Sequence, residues 1–228
     1  MQVIKRTYVD AMQGLGTLPP LAGLARRGRD DDPYGWRHWV ASLFAIYETD
    51  RMIALDLPWW NVAATRAVAE FLGARPRARV FEYGSGASTV WLARRAQEIF
   101  TVEHHEKWMR RFERQTRGHA NVTLLHRAIA NGPGRAEPAR PADPYVGAID
   151  EVGGEFDLIV VDGRERAACL ARAVPHLARG GIVLFDDSGR ARYRSAIEGC
   201  GLVETHHYGR SYCVPYPDHT SLLAHGPC

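Results

Sequence analysis

The 228-residue chain is poor in cysteine, and its four cysteines, Cys169, Cys200, Cys213 and Cys228, make no C-x-x-C pair and have no nearby histidine at zinc-site spacing. That excludes a structural zinc module and favours free thiols in a reducing compartment. Long apolar runs are also missing. No segment approaches the ~20 apolar residues that span a bilayer, and Met1-Gln2-Val3-Ile4-Lys5-Arg6 is not followed by the apolar stretch of a signal peptide. The expectation is a cytoplasmic protein with no membrane partner. Net charge is small at +3, almost all of the positive residues are arginine, and no internal repeat or nucleic-acid module is present. Charge alone therefore supplies no argument for a nucleic-acid partner.

What remains is ample material for a core, with 46% hydrophobic and 24% charged residues. From residue 80 onward, short β-branched runs alternate with helical patterns, which is the mark of an α/β fold with a doubly wound, mostly parallel sheet. The spacing predicts strands at 79–83, 99–103, 122–126, 157–161 and 181–186, with helices starting near 88, 106, 166 and 190. Two further apolar runs, 202–205 and 220–224, suit closing strands, giving seven in all. Residues 131–155, rich in proline and glycine in their first half, read as a long loop at the rim of a site.

Residues 1–57 differ in composition and read as an N-terminal helical extension to a domain over 58–228. Within them, Arg26 to Pro33 suits a solvated loop and Trp36 to Leu57 a packed helix, with Trp36 and Trp39 in the core. Pro58-Trp59-Trp60-Asn61 then stops one element and caps a helix over Val62 to Leu72.

The chemistry concentrates where strands end. Arg79-Val80-Phe81-Glu82-Tyr83-Gly84-Ser85-Gly86-Ala87-Ser88 sets a strand, a terminal acid, a Gly-x-Gly turn and a helix start in succession. Glycines allow a sharp turn and close approach of a ligand, and the helix offers free N–H groups to an anion. In S-adenosylmethionine that anion is the methionine carboxylate, and Glu82 can meet the ammonium. Nicotinamide and flavin sites use the same turn, but the dinucleotide fingerprint would have a third glycine where Thr89 stands. The next strand ends in Glu103, about 20 residues on, where an acid bonds ribose hydroxyls. His104 and, after the third strand, Ala128 are placed to flank adenine.

Together the order of Phe81-Glu82-Tyr83-Gly84-Ser85-Gly86-x-Ser88-Thr89, Val102-Glu103-His104 and Val161-Asp162-Gly163-Arg164-x-Arg166 resembles class I S-adenosylmethionine-dependent methyltransferases over roughly residues 58–226. Within that superfamily it is similar to a bacterial group of small enzymes and, more distantly, to catechol and macrolide-sugar O-methyltransferases. The resemblance implies a cofactor site at Glu82, Tyr83, Gly84, Ser85, Gly86, Ser88, Glu103, His104, Ala128 and Asp162. It also implies Asp162, Asp186 and Arg164 as catalytic candidates, and Asp162, Asp186 and Asp187 as ligands for Mg2+. One departure from the catechol enzymes is clear: their lysine base, three residues past the first acid, is here Glu165. His104, His126, His206 and His207 are alternative bases by their titration range. Arg164 and Arg166 can bind an anionic group or pair with neighbouring acids. Trp59, Trp60 and Tyr145 can wall a pocket or cover the core.

The functional expectation is methyl transfer to an oxygen of a small polar metabolite or sugar, with nitrogen acceptors left open. The strand-end acids can either hold Mg2+ for this step or, without metal, bind cofactor, cap the next helix or orient substrate. The alternative is a protein that binds S-adenosylmethionine without transferring its methyl group. DNA methylation would call for an Asn/Asp-Pro-Pro-Tyr signature after the fourth strand, where the chain reads Asp162-Gly163-Arg164-Glu165. A small-molecule acceptor is the expected partner, and a homo-oligomer is compatible with the sequence.

Overall fold

The structure is a computed structural model that describes Met12, Gly14, residues 31–130 and residues 143–226. In chain order these give α1 (Trp36–Leu43), α2 (Thr49–Ala54), α3 (Val62–Gly73), β1 (Arg79–Tyr83), α4 (Ala87–Ala93), β2 (Glu98–Glu103), α5 (Glu106–Thr116) and β3 (Val122–His126). There follow α6 (Ala148–Val152), β4 (Phe156–Val161), α7 (Arg166–Ala173), β5 (Leu177–Asp186), α8 (Ala191–Gly199), β6 (Val203–Arg210) and β7 (Pro217–Ala224).

The strands form one seven-stranded sheet in the order β3-β2-β1-β4-β5-β7-β6. β1 pairs in parallel with both β2 and β4, and β7 runs antiparallel to both of its neighbours, β5 and β6. The strand order therefore reverses at β1, and a crevice is left outside the carboxyl ends of β1 and β4, the place where such sheets bind ligands.

Both faces of the central strands are buried, and the side chains divide between them with the strand period of two. Phe81, Tyr83, Ile159 and Val161 face one cluster with Leu170 and Ile197, and Phe156 joins them across an irregularity at the start of β4. Val80, Leu158, Val160 and Leu184 face the other with Val68, Leu72 and Trp91. α3 begins where expected because the Asn61 side chain accepts from the N–H groups of Ala63 and Ala64, satisfying two of the free donors of its first turn.

The extension departs from the expectation of one packed helix. It is broken into α1 and α2, with Tyr47 between them in the left-handed region at φ 58°. The inward face of this segment is carried by His38, Ala41, Ser42 and Ala45, at helical spacing. Trp36 falls off that stripe and is 64% exposed, so its expected place in the core is corrected. Trp39 is half-buried and donates its indole N–H to Ser211 O at 2.8 Å. α1 and α2 share a small core with Tyr212, Cys213, Val214 and Ala87. Residues 131–142 of the expected rim loop, and Arg26 to Asp30 of the expected solvated loop, lie outside the described residues, while the second half of the rim loop contains α6.

Candidate functional site

The carboxyl ends of β1 and β4 meet at two glycines. Gly84 adopts φ 97°, and a β-carbon there would come within 2.8 Å of Gly163 Cα. Gly163 is equally confined, since a β-carbon on it would overlap the Tyr145 hydroxyl. Only glycine fits either position. Gly86 differs: its backbone is extended and an added β-carbon would meet only Ser88 Oγ, at 3.8 Å. Open space therefore lies over Gly86, where a ligand can approach the backbone closely.

Two acids flank this turn. Glu82 is fully buried and accepts hydrogen bonds from the hydroxyls of Ser88 and Thr89. Burial pushes its carboxyl up to about 7, against the lowering effect of those two hydroxyls. Thr89, which stands where a dinucleotide site would have glycine, also accepts from Gly86 N at 3.1 Å. Glu82 thus holds the start of α4 from below. Glu103, at the end of β2, accepts from the Ser85 N–H at 3.3 Å, the Ser85 hydroxyl at 3.1 Å and the His105 N–H at 2.8 Å. Burial opposes its ionisation, but His104, whose Nδ1 lies 2.9 Å away, and these hydrogen bonds leave its carboxyl below the usual range. Glu103 stays an anion that is tied to the middle of the turn.

At the neighbouring strand ends three more acids converge. Asp162 Oδ1 accepts from Arg166 Nη2 at 2.9 Å, and its Oδ2 accepts from the Trp60 indole at 3.1 Å. Asp187, in the left-handed region at φ 57°, lies 2.9 Å from Arg166 Nη1 and 2.7 Å from Arg190 Nη2. Asp186 has no close ion pair, its nearest guanidinium nitrogen being 3.8 Å away, and accepts from the Thr220 hydroxyl at 2.7 Å. Burial first, then the charge of Asp162, pushes Asp186 well above the ordinary carboxylate range. Burial also raises Asp162, against the pull of Arg166 and the Trp60 hydrogen bond. The Asp162 N–H donates to Tyr83 O at 3.2 Å, which places this acid group directly beside the glycine turn.

The glycine-lined turn at the sheet's switch point and the acid on each neighbouring strand tip lie within residues 81–188, which match the family model described as a methyltransferase domain. Over that stretch the chain matches a methyltransferase domain, and its seven-stranded sheet is the Rossmann-like methyltransferase fold. No curated protein matches its sequence. Among solved structures, the methyltransferase is similar to an rRNA methylase from Streptococcus thermophilus (10% identity, 71% of this chain and 96% of that one covered, TM-score 0.52). It is similar also to an N-methyltransferase from Bradyrhizobium japonicum WM9 (13% identity, 72% and 95% covered, TM-score 0.50) and to a precorrin-6y C5,15-methyltransferase from Geobacter metallireducens GS-15 (12% identity, 72% and 87% covered, TM-score 0.50). At these identities the likeness concerns the fold.

The residues present suit S-adenosylmethionine. Open backbone at Gly86 admits a ligand, and an ionised Glu103 beside it provides acceptors for hydroxyl groups. They do not suit Mg2+. The expected ligands Asp162, Asp186 and Asp187 surround the Arg166 guanidinium, so a cation already lies among them, and among the described residues no group of three or more His, Cys, Asp or Glu is arranged to hold a metal. The expected metal centre is therefore corrected to an arginine-centred acid cluster.

The other expected residues fall as follows. Tyr83 turns its ring into the core and donates its hydroxyl to Val146 O at 2.9 Å, so only its backbone reaches the turn. Tyr145 and Trp60 are fully buried, and Trp59 is partly exposed with its ring 5.0 Å from that of Tyr47. Arg164 is exposed at the rim and Ala128 is exposed beyond β3. The four candidate histidine bases are dispersed over the ends of β2 and β3 and along β6, where His206 lies 2.8 Å from His219. Sequence reasoning missed Trp108, whose indole N–H donates to Ser85 O at 2.9 Å, and Thr220. Asp162 lies in the turn after β4 and Arg166 is the first residue of α7, so helical spacing does not record their ion pair.

Proposed function

We propose that the methyltransferase alkylates a hydroxyl oxygen of a small polar metabolite or sugar in the cytoplasm, without a nucleic-acid partner. The observation that carries this reading is the carboxyl pair at the strand tips beside the glycine turn: Asp162, held by Trp60 and Arg166, next to Asp186, held by the Thr220 hydroxyl. S-adenosylmethionine supplies an activated methyl group on a positively charged sulfur. Its transfer forms a carbon–oxygen bond and breaks a carbon–sulfur bond, the sulfur keeping the electron pair, so the acceptor hydroxyl must lose a proton.

Asp162 is suited to take that proton. Its carboxyl sits above the ordinary range through burial, which makes it a stronger proton acceptor than a free carboxylate. It is fixed by two donors and keeps a side-chain exposure of 23%. Arg164 at the rim adds a bidentate donor for a polar or anionic acceptor. A fixed base and a fixed cofactor turn place the reacting atoms together, which is the main contribution a protein makes to a displacement of this kind.

The test is incubation of the purified protein with methyl-labelled S-adenosylmethionine and a panel of sugars, polyols, phenols and amines, with products identified by mass spectrometry. Labelled methyl ethers support the reading. Labelled amines alone would overturn the oxygen acceptor, and binding of the cofactor with no transfer to any class would favour a binding protein instead.

A further inference from the structure

We infer that Arg166 is the resident cation of the acid cluster and that methyl transfer in this protein proceeds without a bound divalent metal. The inference rests on the reading of this cluster as the place where the acceptor is activated. Its basis is the accounting of Arg166's donors. Nε donates to Gly163 O at 3.0 Å, Nη1 to Asp186 O, and Nη2 to Asp162 O and Asp162 Oδ1, both at 2.9 Å. Nη1 also lies 2.9 Å from Asp187 Oδ2. A guanidinium has five N–H donors, and all five have partners here. Three of those partners are backbone carbonyls at the ends of β4 and β5.

Admitting a metal would mean moving this side chain, which is only 10% exposed. The displaced guanidinium would leave three carbonyl groups without their donors, and it cannot be neutralised by losing a proton. Mg2+ also demands oxygen ligands in near-octahedral geometry. Each candidate ligand has another partner already: Trp60 on Asp162, Thr220 on Asp186 and Arg190 on Asp187. Arg166 thus supplies the positive charge that keeps three acids together and, unlike a metal, offers no coordination position to the acceptor.

This bears on substrate class. A bound Mg2+ with two open positions would favour an acceptor whose two adjacent oxygens can chelate it. An arginine-centred cluster imposes no such requirement, so a single hydroxyl is a sufficient acceptor, and a vicinal pair gains no advantage.

The experiment is a Mn2+ titration of the intact protein, followed by electron paramagnetic resonance of the free ion, with S-adenosylhomocysteine binding measured separately by calorimetry. The wild type is expected to bind no Mn2+ below millimolar concentration. Arg166→Ala, which leaves three carboxylates around an empty position, is expected to bind one Mn2+ at least tenfold more tightly, and adding Asp162→Asn should remove that gain. A wild-type Mn2+ site at micromolar concentration that Asp162→Asn abolishes would overturn the inference, and so would a folded Arg166→Ala protein that gains no site. Should Arg166→Ala fail to fold, the wild-type titration decides. Failure of S-adenosylhomocysteine to bind would count against the proposed function and leave the metal result readable on its own.

Discussion

The indole N–H of Trp60 donates to Asp162 Oδ2 at 3.1 Å, joining residues 102 positions apart. The bond ties the segment that enters α3 to the carboxyl end of β4. Trp60 is fully buried, so Trp60→Phe removes a hydrogen bond to a charged group and leaves unfilled volume. The expected cost is about 2 to 4 kcal/mol in stability, read from urea unfolding. Because the bond favours the ionised acid, Asp162 should also become harder to ionise. An unchanged unfolding midpoint would show that the bond carries no weight.

Glu82 gives the fold a specific dependence on pH. Its folded carboxyl titrates at about 7, against 4.5 for an ordinary glutamate. Between those values the folded protein keeps a proton that the unfolded chain has lost. The stabilisation is therefore complete below about pH 4.5 and is lost as pH rises through about 7, an amount on the order of 3 kcal/mol. Glu82→Gln, which cannot ionise, should gain about that much relative to wild type between pH 4.5 and pH 8. Parallel stability curves for the two proteins would show that Glu82 does not titrate in this window.

Gly84 and Gly86 should respond differently to the same change. Gly84→Ala forces a side chain into the left-handed region at φ 97° and against Gly163, so a loss of more than about 2 kcal/mol is expected. Gly86→Ala meets no strain and only open space, so its melting temperature should stay near wild type while affinity for S-adenosylhomocysteine falls. Equal effects on stability would mean that the two glycines are not doing separate jobs.

Glu103→Ala removes the anion that holds Ser85 and lies beside the open turn. Loss of charge-assisted bonds to hydroxyl groups is worth roughly 1.5 to 3 kcal/mol, a tenfold to hundredfold weakening of S-adenosylhomocysteine binding. Isothermal titration measures it directly, and wild-type affinity in Glu103→Ala would place the nucleoside elsewhere.

The sequence by itself determined the sheet and the position of the cofactor turn. β1 and β3 fall where the apolar runs put them, and α5 and α7 start at the expected residues, because strand and helix periods and glycine turns are local properties of the chain. The strand-end acids were legible for the same reason. Their partners were not. Only the tertiary structure brought Trp60 to Asp162, Thr220 to Asp186 and Trp108 to Ser85, and it put Arg166 where a metal had been expected. Whether an acid binds a metal, a ligand or a neighbouring guanidinium depends on which charges and donors the fold gathers within a few ångströms of it. Residues far apart in the chain supply most of these, so no local spacing records them.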